Sequence, residues 1–165
     1  MKRLLLLALA LMVASGALAE DTFGLFRMVD GEFVDNVPVN ELNVGDTIDL
    51  HITLHEGSLF STIAFEVGMD VPGYLSVTDA DLRGGYNFGG AFTNLLVGYT
   101  EPVLLNADVV VLATLEGLVT GEPEDASVVF HGADPPSVPG HDGPIYASAA
   151  NPSNLLLCDS VGGTA

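Results

Sequence analysis

The sequence predicts an all-β protein built as an antiparallel sandwich, and three observations carry that expectation. Apolar and polar residues alternate with a period of two in several segments, turn-forming pairs separate those segments at short intervals, and no window sustains a capped helical periodicity. The clearest strand is TIDLHITLH at Thr47–His55, where Ile48, Leu50, Ile52 and Leu54 point one way and Thr47, Asp49, His51, Thr53 and His55 the other. TIAFEVGM at 62–69 repeats the pattern, with Ile63, Phe65, Val67 and Met69 inward. Residues 24–28, 74–78, 95–99, 127–130 and 155–158 are shorter strand candidates. DVVVLATLEGLVT at 108–120 is longer, and its β-branched start predicts a strand buried on both faces with a bend near Gly117.

Turn chemistry divides these segments. Asp30-Gly31, Val44-Gly45-Asp46, Glu56-Gly57, Pro72-Gly73 and Gly121-Glu122-Pro123 all favour chain reversal. Two irregular stretches are longer: RGGYNFGG at 83–90 and the proline-rich DPPSVPGHDGP at 134–144. Neither a repeat nor an interdomain linker is visible, so the expectation is one sandwich of about seven to nine strands.

The first residues have a different design. Met1-Lys2-Arg3 is a short positive region, Leu4 to Val13 is an unbroken apolar run, and Ala17-Leu18-Ala19 fits the small-x-small rule for signal cleavage. A membrane anchor needs roughly 20 apolar residues, about twice what this run offers. The expectation is a signal peptide at 1–19, a mature chain beginning at Glu20, and a secreted, periplasmic or extracellular product without stable membrane insertion. Cleavage leaves 165 − 19 = 146 residues, 20–165, enough for one domain with a real core. The lone Cys158 follows Leu155-Leu156-Leu157 and reads as a small apolar residue, since one cysteine closes no disulfide within the chain.

Charge is the strongest compositional signal. Loss of Lys2 and Arg3 takes the net charge from −18 to −20, leaving Arg27 and Arg83 against 22 acidic residues and no lysine. Such a surface repels phosphate backbones and anionic lipid, which disfavours nucleic acid and membrane surfaces as partners, and no nucleic-acid partner is expected. The 48% hydrophobic content argues against disorder. Solubility in salt, binding of divalent cations and attraction of a cationic partner all fit the excess of carboxylates.

The order of pieces carries a resemblance. An Asn-Val-Gly-Asp-Thr turn at 43–47 leads into TIDLHITL, then IAFEVGMDVPGYLSV, then VVVLATLEGLVT and ASVVFHGA. This succession resembles the cohesin-like and carbohydrate-binding-module-like sandwiches of secreted bacterial proteins, and the tail from 137 to 163 is similar to that of small exported proteins of environmental bacteria. The resemblance implies an immunoglobulin-like sandwich working outside the cell. Two departures stand beside it: tryptophan, the usual platform residue of carbohydrate-binding modules, is absent, and no dockerin-like calcium loop accompanies the domain.

Several groups are candidates for chemistry. His51 and His55 stand about 13 Å apart on an extended strand, too far to share one zinc ion, and read as solvent-facing polar residues. Asp79-Ala80-Asp81, with Asp70 upstream, is the sharper metal candidate, because alternate aspartates can aim two oxygens at one calcium ion; a solvated loop is the plainer account. No cofactor beyond that calcium is expected. Tyr86 and Phe88 sit among four glycines, either as a ligand-binding pair that stacks on a sugar or anchors a protein, or as a plug over an open end of the sandwich. A hydrolase would want a nucleophile on a turn such as G-x-S-x-G, and the chain has none. The reading is therefore a non-enzymatic exported binding or scaffolding module for a protein or glycan. The alternatives are a self-assembling subunit joined by strand-edge pairing and a secreted hydrolase with a triad drawn from distant residues.

Overall fold

The computed structural model describes residues 21–34, 41–55, 58–124 and 128–160. The expected signal peptide at 1–19 lies outside them. Among these residues, twelve strands run in chain order: β1 (Thr22–Val29), β2 (Glu32–Val34), β3 (Thr47–His55), β4 (Ser61–Asp70), β5 (Leu75–Asp81), β6 (Gly85–Asn87), β7 (Asn94–Leu104), β8 (Val109–Val119), β9 (Val129–His131), β10 (Ile145–Ser148), β11 (Leu155–Leu157) and β12 (Asp159–Ser160). They form two six-stranded sheets. One has the order β12-β1-β3-β8-β5 with β2 beside β1, the other β11-β10-β4-β7-β6 with β9 beside β4. Every pairing is antiparallel except β1 with β12.

Local chemistry explains the reversals. Asp30 and Gly31 both adopt positive φ, 52° and 87°, and join β1 to β2 through a two-residue turn whose flanking partners are Val29 and Glu32. That geometry matches the twist of the strands and favours an Asp-Gly pair. Before β3, the Asp46 carboxylate accepts the Asn43 N–H at 2.7 Å, and Asp46 N–H donates back to the Asn43 carbonyl at 3.0 Å. Gly45 N–H then reaches the Val119 carbonyl at 2.8 Å, tying this turn to the end of β8.

The core lies between the sheets. Ile48, Leu50, Ile52 and Leu54 of β3, with Phe23, Leu112 and Leu115, meet Phe65, Val67, Leu95, Val97 and Tyr99 of the facing sheet. Phe65 is central: its ring lies 6.1 Å from Phe23 and 6.0 Å from Tyr99. Tyr99 is buried too, and its hydroxyl donates to the Leu112 carbonyl at 2.8 Å. Cys158 is buried, as its apolar reading requires. The chain changes sheets after β3, β4, β5, β7, β8 and β11, so the core is assembled from residues distant in sequence.

Four expectations need correction. The strands number twelve among the described residues, because β2, β6 and β12 span only two or three residues and carry too little alternation to be read. β10 was missed because all four residues of IYAS are buried, which leaves no periodicity. β8 is a half-buried strand, with Glu116 exposed and Thr114 partly so, although its sequence promised burial on both faces. His51 and His55 are half-buried: the His51 ring packs edge-on to Phe33 at 6.1 Å and the His55 ring lies 5.1 Å from Phe26. Aromatic cover comes from the β1–β2 hairpin, which folds over that side of the sheet.

Candidate functional site

Side chains alternate across a strand, so the sheet containing β4 presents every second residue outward. Its pairing register aligns these residues in two rows. Leu155, Ala147, Ala64, Gly98 and Tyr86 are successive cross-strand partners from β11 to β6. Beside them run Leu157, Ile145, Glu66 and Leu96. The first row is small in its middle and tall at its ends, so Ala147, Ala64 and Gly98 floor a trough between Leu155 and Tyr86. At about 4.8 Å per strand, five strands give it a length of about 19 Å.

Phe88 completes one wall. It follows β6, and its N–H donates to the Leu96 carbonyl at 2.8 Å. Its ring leans over the trough floor: a Cβ built on Gly98 would stand 3.3 Å from Phe88 Cε2. The resulting cavity, about 260 Å³, is lined by Ala64, Glu66, Phe88, Leu96, Gly98, Ser137, Ile145, Ala147 and Leu155, among others. Tyr86 and Phe88 are 64% and 76% exposed. They therefore stand on the outer face of a sheet and plug no end of the sandwich. Large apolar groups left in water beside an apolar trough are a costly arrangement for a surface with no partner.

One polar group interrupts the apolar lining. Glu66 is only 5% exposed and sits on the central strand between Ile145 and Leu96. Both its carboxylate oxygens take the Ser137 N–H, at 3.0 and 3.3 Å. Ser137 belongs to the proline-rich loop, whose base is pinned where Asn94 Nδ2 donates to the Asp134 carbonyl at 2.8 Å and Asp134 N–H returns to Asn94 Oδ1 at 2.9 Å. Sequence reading assigned Glu66 no role beyond its place in an alternating strand. Its signal was available, a charged residue on the outward phase of a strand otherwise lined by Ala64 and Gly68, but only the register shows that its neighbours are apolar.

Asp79 and Asp81 lie on strand β5, not in a loop. Asp79 Oδ1 accepts the Ala80 N–H at 2.8 Å and Asp81 Oδ1 accepts the Arg83 N–H at 2.9 Å, so each carboxylate spends an oxygen on local backbone. Asp70 is elsewhere, at the end of β4, 3.8 Å from His131 Nε2. Among the described residues, no group of three or more His, Cys, Asp or Glu side chains could hold a metal ion. Register does align Asp79, Glu116 and Asp49 as successive partners across β5, β8 and β3, a row of like charges that only the sheet order reveals.

A further polar cluster fastens the start of the described chain. The Tyr146 hydroxyl donates to Asp21 Oδ2 at 2.6 Å, and Ser58 gives Asp21 both its hydroxyl, at 2.6 Å, and its N–H, at 2.9 Å. Burial pushes the Tyr146 phenol well above the usual tyrosine range, and its hydrogen bond to Asp21 pushes the same way.

No protein-family model matches the chain, and no curated protein matches it. Among solved structures, the chain is similar to the sixth cohesin of scaffoldin B from Acetivibrio cellulolyticus, solved in complex with a mutant Cel5 dockerin, with a TM-score of 0.53, 10% identity, and coverage of 87% of this chain and 94% of that one. It is also similar to CaCohA2 from Clostridium acetobutylicum, with a TM-score of 0.44, 16% identity and coverage of 73% and 80%. The first likeness shows the fold: this is a cohesin-like, immunoglobulin-like antiparallel β-sandwich.

Proposed function

We propose that this chain is an exported, non-enzymatic docking module that binds a partner polypeptide in the trough across β11, β10, β4, β7 and β6. The observation that carries the reading is that trough: a small-residue floor with Tyr86, Phe88 and Leu155 exposed at its rims. Backbone groups of the sheet are committed to its ladders, so an extended peptide laid across this face would leave its own N–H and C=O groups facing apolar side chains. A helix satisfies its backbone internally, and three turns cover about 16 Å, close to the length of the trough. Helix-in-groove docking is the mode this surface fits best. The complex of the A. cellulolyticus cohesin with a dockerin supports a protein partner for the fold.

Export rests on the residue pattern at 1–19. An intact mass of secreted material corresponding to a start at Glu20 is the expected result.

The docking reading is tested by placing a photo-reactive residue at Phe88 and, as a control, at Asp49 on the opposite sheet. Exposed to the proteins exported by the producing cells, position 88 should capture a discrete polypeptide that position 49 does not. Affinity of the purified partner should fall about tenfold or more with Phe88→Ala, as for a large aromatic anchor, and further with Gly98→Arg, which fills the floor. Equal capture from both faces, or a partner indifferent to Gly98→Arg, would refute the reading. Capture of a second copy of this chain would replace it with self-assembly.

A further inference from the structure

Glu66 is an anomaly within the trough. A carboxylate offers about four acceptor positions, and among the described residues the Ser137 N–H is the one donor that its two oxygens share. Cross-strand neighbours Ile145 and Leu96 and the same-strand residues Ala64 and Gly68 carry no donor side chain, and the His131 ring that covers Gly68 is engaged elsewhere, Nδ1 with the Gly132 carbonyl at 2.6 Å and Nε2 3.8 Å from Asp70. Among the described residues, the one ion-pair contact is His131 with Asp70, and none of their cations pairs with Glu66. Neither mature cation is placed to do so. Arg27 lies on β1, in the other sheet, and Arg83 Nη1 is engaged by the Val111 carbonyl. A nearly buried charge with unused acceptor capacity, lining an open cavity, is a group awaiting a partner.

We infer that Glu66 is the specificity-determining residue of the docking surface, selecting a partner helix that inserts an arginine or lysine between its apolar anchors. The inference rests on the docking reading above and adds the chemistry of the occupant. An apolar helix alone would bury Glu66 completely and leave the acceptor positions that Ser137 does not fill unpaired, so such a partner is rejected. A partner with a basic residue at that point supplies the missing donors and the opposite charge. Arginine fits best, because its planar fork can satisfy both oxygens at once. Charge complementarity works in the same direction, since the mature chain carries 22 acidic residues and two arginines, which draws basic partners in and repels acidic ones.

The probe is a displayed library of helical peptides of about 20 residues, selected against the full mature domain and sorted for competition with Gly98→Arg as the groove-blocked control. Peptides that lose binding to Gly98→Arg should share one basic position amid apolar residues at i, i+3, i+4 and i+7. Glu66→Gln keeps a carbonyl able to accept the Ser137 N–H, and should weaken those peptides about tenfold or more. Replacing the peptide's arginine by citrulline, its neutral isostere, should cost the same factor on the wild-type domain and nothing on Glu66→Gln. The wild-type half of this arm needs no change to the protein and stands even if the variant folds poorly. Groove-directed peptides without a basic position, or with one whose citrulline form binds equally well, would overturn the role of Glu66 while leaving the docking surface intact. Selection that returns no peptide sensitive to Gly98→Arg would overturn both.

Discussion

Replacing Glu66 by leucine separates a structural role for this carboxylate from a binding one. Glu66 is 5% exposed and framed by Ile145, Leu96 and Ala64, so a leucine there gains most of the transfer free energy of a buried aliphatic side chain, about 1.5–3 kcal/mol. The hydrogen bond from Ser137 is lost, at about 1.5–3 kcal/mol for a charged acceptor. Ser137 is itself exposed, so its N–H finds water in place of the carboxylate. These two contributions roughly cancel. What remains is relief of the cost of holding a carboxylate out of water, several kcal/mol for a fully buried ion and less for one that lines an open trough. The expected net result is a gain of about 1 kcal/mol, or a rise in Tm of about 2–4 °C for a domain of this size. Thermal melts by circular dichroism, with urea titration to confirm an unchanged m-value, measure it. A fall in Tm of more than about 5 °C would show that the Glu66–Ser137 contact organises the proline-rich loop, and the case for a carboxylate retained for binding would collapse.

Four further outcomes follow from the same coordinates. Phe65→Ala, in the centre of the core, should cost about 3–5 kcal/mol, whereas Phe88→Ala on the exposed trough wall should change stability by less than about 0.5 kcal/mol; comparable losses in urea melts would mean that Phe88 is structural. Asp21→Ala removes the acceptor of the Tyr146 hydroxyl and of two Ser58 donors and should cost about 1–3 kcal/mol, read as a lower urea midpoint. Burial raises the Tyr99 phenol above its ordinary value of 10.0, and burial with the Asp21 hydrogen bond raises that of Tyr146; the folded state then holds protons that the unfolded chain releases, so stability present below pH 10 should decline as pH rises beyond it, and less steeply in Tyr99→Phe. Glu116→Gln breaks the Asp49–Glu116–Asp79 row of like charges and should raise Tm in 0.01 M sodium chloride, with the advantage fading towards 1 M as the Debye length falls from about 30 Å to about 3 Å. Calcium at matched ionic strength should add nothing to this; a calcium-specific gain lost in Asp79→Ala and Asp81→Ala would show that those two carboxylates share an ion.

Local pattern determined much of this protein. The period of two in TIDLHITLH placed Ile48, Leu50, Ile52 and Leu54 in the core and delimited β3 at both ends. The same pattern placed Phe65, Val67 and Met69 on the buried face of β4, because burial of alternate side chains is a property of each strand by itself. Asp30-Gly31 announced its turn because few other pairs tolerate positive φ twice in succession. The order of strands in the sheets, by contrast, is a relation between distant segments, and no local signal encodes it. Tyr86 and Phe88 were visible as unusual residues, yet their place above Gly98 depends on β6 pairing with β7. Glu66 was one acidic residue among 22 until pairing set it between Ile145 and Leu96. Composition determined that the surface is acidic and pattern determined that the fold is a sandwich. Only the register of β10, β4 and β7, fixed by packing across the whole core, decided which face carries an apolar trough and which carboxylate lies within it.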